Sequence, residues 1–218
     1  MEKSPVRAWQ RIRRRSRFRH ALFEVFEDEV AADTEAGPPD TRRVVVIDPP
    51  AWVNVVALIN ETVDGDSNGR GQDVLMVRQW RHGVGQPTLE IPGGMVEPDE
   101  SDEVAASREL LEETGYRAGR LHRLGVLHPN PAFMTNRVST WLATELERVH
   151  GADSIGVDGE ELGLERVPLT SISGLVASER ITHSLVVAAF HLFGLHAPSL
   201  DLNRGGPDRG GSNWDGSK

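Results

Sequence analysis

Eight consecutive residues, WVNVVALI at positions 52–59, constrain the fold more than any other stretch. They are apolar nearly throughout, with no alternation, so a strand made of them has no wet face. Cover has to come from both sides, which calls for layers above and below a sheet. Further strands are predicted at RRVVVID, which DPP breaks, and at VLMVRQW, TLEIPGG, Leu121–Leu127, Val138–Leu146 and GLERVPL. Helical patterns cover residues 101–114, where Gly115 is a natural stop, then Ile172–Glu179 and His183–Leu195. The last of these is apolar on most faces and is expected to lie buried against the sheet. Runs of strands with late helices predict an α+β fold, a sheet sandwiched by helices.

Charge divides the chain. Eight of the 24 basic residues but only one of the 33 acidic ones fall within the first twenty positions. The remaining body therefore holds two acids per base, which argues against a sequence-independent nucleic-acid binder. No apolar run approaches the roughly 18–20 residues needed to cross a bilayer. The basic start has no apolar stretch behind it and does not read as a secretory signal. With no cysteine, disulfides, thiolate metal sites and a cysteine nucleophile are excluded, and a cytoplasmic setting fits.

Four segments are predicted. Residues 1–20 read as a solvated basic leader feeding an edge strand. Residues 21–50 form an N-terminal β-extension whose Phe23, Val25 and Phe26 present an apolar face in need of cover. Residues 51–196 make the main domain, and 197–218, rich in Gly, Pro, Ser and Asp, are expected to be disordered. Polar Gly-containing loops are expected at 61–72 and 151–160.

The chemistry concentrates in GGMVEPDESDEVAASRELLEETGY, residues 93–116. On a helix advancing 100° per residue, Glu109, Glu112 and Glu113 share an arc of about 100°. Val104 and Leu111 lie opposite, and small Ala105 and Ala106 flank the acids. Like charges at such spacings cost a few tenths of a kcal/mol per pair, so something cationic should offset them. Hard oxygen donors without Cys or paired His point to Mg²⁺ or Mn²⁺ rather than zinc.

Gly94, five residues, Glu100, seven residues, Arg108-Glu109-Leu110, Glu112-Glu113, Gly115 and Tyr116 together resemble the Nudix box at every defining position. The resemblance implies a Nudix-type α/β/α sandwich with a mixed β-sheet and an N-terminal β-extension. It also implies Mg²⁺-dependent cleavage of a nucleoside diphosphate linked to another moiety. By position, Glu109 and Glu113 are then metal ligands, Glu112 assists, the Gly93 carbonyl adds a ligand, and Arg108 orients the cluster. Glu100 is expected to cap the helix.

The likeness extends over about residues 45–195. VRQWRHGVGQPTLEIPGG resembles the stretch preceding the box in ADP-ribose pyrophosphatases and nucleotide-sugar hydrolases. It makes Arg81 and Glu90 candidate substrate contacts, with Arg78 either a further contact or a strand-surface ion pair. Pro131, fifteen residues after Tyr116, stands where ADP-ribose-directed members tend to carry a proline, and Asn136 and Arg137 accompany it. The base is expected on the acidic loop at Glu160, ahead of Glu161. Lone His128 and His183 read as structural. Other Nudix substrates, or a Nudix-fold ADP-ribose sensor, are the alternatives, and a homodimer built on the N-terminal strands is expected.

Overall fold

The structure, a computed structural model, describes residues 6–34, 37–59, 72–149 and 162–197. Its centre is a seven-stranded mixed sheet. Strands β4 (Trp52–Ile59), β5 (Asp73–Arg81), β8 (Tyr116–Leu127), β9 (Val138–Arg148) and β10 (Gly163–Pro168) run in the order β10-β5-β4-β9-β8. Two short strands, β6 (Gln86–Glu90) and β7 (Gly93–Met95), pair with β5 and β4. Only β4 and β9 pair in parallel.

The all-apolar stretch is β4, and its two faces serve two cores. Val53, Val55, Ala57 and Ile59 pack with Ala105, Ala106 and Leu110 of helix α1 (Asp102–Thr114). Val56 and Leu58 face the other way, with Ile172 of α2 (Ile172–Ala177) and Val186, Ala189 and Phe193 of α3 (Ser184–His196). The result is the expected α/β/α sandwich.

Helix α1 buries a different side from the one that Val104 and Leu111 suggest. Val104 is exposed, while Ala105, Ala106, Leu110 and Glu113 are buried. Small side chains let the helix approach the sheet closely, and that approach carries its acid face inward. The side chain of Ser101, not Glu100, caps the start by accepting from the Val104 N–H. Gly115 closes the end at φ 72°, a left-handed turn that a residue with Cβ adopts only under strain.

Residues 10–19 of the Arg-rich start are strand, where a solvated stretch was expected. Strands β1 (Gln10–Arg19), β2 (Glu24–Ala32) and β3 (Asp40–Asp48) form a separate antiparallel sheet. Its order comes from cross-strand charge pairing: Arg14, Arg17 and Arg19 of β1 meet Asp28, Glu27 and Glu24 of β2. Exposed pairs of this kind contribute only about 0–1 kcal/mol each. Arg14–Asp28 is the exception in geometry, a two-pronged contact at 2.8 and 2.7 Å to a carboxylate that is 4% exposed. Arg14 also lies over the Phe26 ring, 4.4 Å from its centroid.

The end of β3 reaches the central domain. Ile47 exchanges backbone hydrogen bonds with Phe133 and Thr135, and the Thr135 hydroxyl bonds Asp48. Among the described residues, no helix is long and apolar enough to cross a membrane.

Candidate active site

Three groups of side chains converge on the junction where β6 ends and β7 begins. The first is the acid face of α1. Glu113 is buried, and its Oε2 accepts the Gly93 N–H at 2.9 Å, which fixes the helix against β7. Gly94 lies against Glu109. A Cβ there would come within 2.3 Å of the Glu109 carboxyl carbon, so the carboxylate occupies space that only glycine leaves.

Arg108 is the cation that the acids need. Its Nη1 donates to Glu109 at 2.8 Å and Glu112 at 3.1 Å. Its Nε and Nη2 hold Glu100 at 3.0 and 2.9 Å, and Nη2 also reaches the Met95 carbonyl. This bonding raises the Arg108 pKa, with Glu100 the largest contributor. Glu100 is held below its ordinary value by Arg108 and also accepts the Glu97 N–H. So Glu100 clasps Arg108 and closes the 97–100 turn, the role that its place in the sequence left hidden.

Glu109 behaves oppositely. Burial pushes its pKa up, and the hydrogen bond and charge of Arg108 offset that only in part, with Glu112 and Glu100 adding repulsion. A buried carboxylate with too little positive charge is a fit for a divalent cation, and the donor set is all oxygen. Among the described residues no three such side chains face one point closely enough to hold an ion, because the acids are turned toward Arg108.

The second group surrounds Glu90, which is 3% exposed. Arg81 grips both its oxygens, Nε to Oε1 at 2.8 Å and Nη2 to Oε2 at 2.9 Å, and the Thr88 hydroxyl donates to Oε1 at 2.6 Å. Burial works against the anion here too, yet Arg81 and Thr88 carry its pKa below the ordinary value. His183 stands at 3.8 Å from Oε2 and caps α3 through Nδ1. Arg78, on the same strand as Arg81, is engaged elsewhere, with Glu165 at 2.6 Å. Glu90 and Gly93 are three residues apart, so no more than about 10 Å of chain separates the two groups.

The third group is the connection from β8 to β9. Pro131 lies on its exposed turn, where the Asn130 carbonyl accepts from Phe133 and Met134. Arg137 reaches Asp102 at 3.4 Å, and its carbonyl accepts the Trp52 N–H. The Asn136 Oδ1 is buried without a hydrogen-bond partner. Glu160 and Glu161 lie outside the described residues.

Sequence reasoning missed Thr88, Gly94 as a cradle, and Asn54. Thr88 and Glu90 sit two apart on a strand and so share a face, which is a readable signal. Asn54, the one polar residue of the apolar strand, accepts from Trp52 Nε1 and reaches the Leu185 carbonyl at the start of α3. No local pattern announces those partners.

A NUDIX domain model matches residues 53–190. Over 108 residues the chain is 33% identical to an ADP-ribose pyrophosphatase of Bacillus subtilis, covering 50% of this chain and 58% of that relative. It is 30% identical over 158 residues to an ADP-sugar pyrophosphatase of Mus musculus, covering 67% and 68%. It is 28% identical over 157 residues to a methanol dehydrogenase activator of Bacillus methanolicus, covering 72% and 79%. A crystal structure of an ADP compounds hydrolase superposes with a TM-score of 0.70 at 22% identity, covering 90% of this chain and 98% of that one. That likeness shows the fold.

Proposed function

The chain belongs to the Nudix family of pyrophosphohydrolases, and from that premise we propose that it hydrolyses the diphosphate bond of a nucleoside diphosphate joined to a sugar. The reaction put first is ADP-ribose to AMP and ribose 5-phosphate, in the cytoplasm. The observation that carries the reading is the largely covered, under-neutralised Glu109 in its Gly94 cradle beside Glu113 and Glu112. The names of the relatives support the substrate class.

Glu109 and Glu113 would hold Mg²⁺, or Mn²⁺, with help from Glu112 and the Gly93 carbonyl. The bound ion would screen the diphosphate, polarise the attacked phosphorus and lower the pKa of a water. Arg108, clasped by Glu100, holds Glu109 and Glu112, while the Gly93 N–H holds Glu113. Arg81, aimed by Glu90, would contact the substrate, with Asn136, Arg137 and Pro131 shaping the loop over it. Arg78, tied to Glu165, is the weakest of these candidates. Glu160 is the proposed base, and Glu160→Gln is expected to lower turnover by roughly 10²–10⁴ with little change in KM. Full activity in that variant would move the base elsewhere.

The deciding experiment is a panel of ADP-ribose, other sugar nucleotides, dinucleoside polyphosphates and dinucleotide cofactors with Mg²⁺, reading AMP or phosphate release. Preference for a different substrate would replace ADP-ribose. The likeness to an enzyme activator supports a second reading, a regulator that binds such a nucleotide; tight binding without turnover would favour it.

A homodimer through the N-terminal sheet is part of the proposal. Ile12, Phe18 and Val45 are exposed on a three-stranded sheet, too small to be stable with both faces wet. Light scattering at micromolar concentration is expected to give twice the chain mass; a monomer would reject it.

A further inference from the structure

His183 has a partner on each side of its ring. Its Nδ1 accepts the Leu185 N–H at 3.2 Å, so it serves as the N-cap of α3. A nitrogen that accepts carries a lone pair, which leaves the proton of the neutral ring on Nε2. That nitrogen lies 3.8 Å from Glu90 Oε2, too far for a hydrogen bond but within reach of a small rotation. Glu90 Oε2 is also the atom that Arg81 Nη2 holds at 2.9 Å.

Among the described residues, the charged groups facing the imidazole are Glu90 from β6 and, behind that carboxylate, Arg81 from β5. From β4 comes neutral Asn54, whose Nδ2 reaches the Leu185 carbonyl, and the first turn of α3 holds no acid. We infer that His183 is a positioning residue for Arg81, either capping α3 or sharing Glu90, and that this choice sets how firmly Arg81 is aimed. The inference rests on the reading of Arg81 as a substrate contact.

The choice follows the proton. A doubly protonated imidazole cannot accept from Leu185, and its charge opposes the positive end of the helix dipole. The ring is then released from the cap and drawn to the buried carboxylate. Glu90 Oε2 divides between two cations, and the grip on Arg81 Nη2 loosens. The aim of Arg81 is therefore tied to the charge of the ring.

Two measurements on the full chain test this. In the first, the Leu185 amide and the His183 ring resonances are followed by NMR from pH 5 to 8. They are expected to change together across that range. A Leu185 amide that stays fixed while the ring titrates overturns the exchange. In the second, KM for ADP-ribose is compared at pH 5.5 and 8.0. A rise of about fivefold on acidification is expected, and His183→Asn, which keeps a capping acceptor but takes no proton, is expected to abolish it. A purely structural histidine predicts the same acid rise in His183→Asn, and that result overturns the proposal. Arg81→Gln separates the two readings. If its KM matches wild type, Arg81 is no substrate contact and the positioning role falls with it, whatever the Leu185 amide does. Should His183→Asn fail to fold, the wild-type NMR titration decides alone.

Discussion

Two buried glutamates flank the β6–β7 junction, and they titrate in opposite directions. Glu90 receives three donors, two from Arg81 and one from Thr88, and its pKa falls despite burial. Glu109, with a side chain 13% exposed, accepts from Arg108 alone among the described residues, and Arg108 is shared with Glu100 and Glu112. Its pKa rises. Burial is common to both, so the sign is decided by the number of donors, with repulsion from Glu112 and Glu100 added at Glu109. Glu90 is complete within the protein and suits a role in holding another side chain. Glu109 is short of positive charge, and a site left that way is fitted to a cation from outside.

The largest expected effect separates the two in catalysis. Glu109→Gln, or Glu113→Gln, is expected to lower kcat by at least about 10²-fold, the scale of one lost electrostatic stabiliser of a transition state. Glu90→Gln is expected to act mainly on KM, by loosening Arg81. Steady-state kinetics with Mg²⁺ check both, and near-wild-type kcat in Glu113→Gln would remove the metal-site assignment.

Stability should reverse the ranking. In metal-free protein, Glu90→Gln leaves Arg81 without its buried anion and is expected to lower Tm by about 3–8 °C. This corresponds to about 1–2 kcal/mol, below the usual loss for a broken buried pair because Arg81 is partly exposed. Glu109→Gln removes a poorly compensated charge and is expected to raise Tm by about 2 °C.

The pH dependence follows with opposite signs. Glu90 has a folded pKa below its ordinary 4.5, so its contribution is present above 4.5 and is lost as pH falls toward the folded value. Glu109 has a folded pKa above 4.5. Its ionised form is a penalty at neutral pH, relieved as pH falls through the folded value and fully removed below 4.5. Thermal scans between pH 3.5 and 7 in chelator should therefore show a steeper acid loss in Glu109→Gln and a shallower one in Glu90→Gln. Matching slopes would mean that the two carboxylates are not the opposites the geometry makes them.

How much of this comparison the sequence revealed depends on range. The spacing from Gly94 to Tyr116 placed the Glu109 group, because every member lies on one helix and the turn before it. The strand 52–59 forced two layers, because an unbroken apolar run has no other solution. The Glu90 group draws its members from β5, β6 and the start of α3, so a hundred residues separate Arg81 from His183 and no spacing rule joins them. The Arg-rich start misled for the same reason. Its arginines look unpaired until β2 is laid beside them, and then Glu24, Glu27 and Asp28 answer them.

The smallest expected effect tests whether donor number is the right variable. Thr88 contributes one of the three donors to Glu90, through a hydroxyl that Val lacks at nearly the same volume. Thr88→Val keeps Arg81 and the packing but leaves the carboxylate two donors. Arg81 keeps both its bonds to the carboxylate, so Tm is expected to fall by less than in Glu90→Gln, by no more than about 2 °C. The Glu90 pKa should also rise toward its ordinary value, since burial is unchanged and one opposing donor is gone. Its carboxyl resonance, followed by ¹³C NMR against pH, reads that change directly. If the pKa stays where it is, Arg81 alone sets the behaviour of Glu90. The contrast with Glu109 would then lie in how each arginine is shared, with Arg108 divided among Glu100, Glu109 and Glu112.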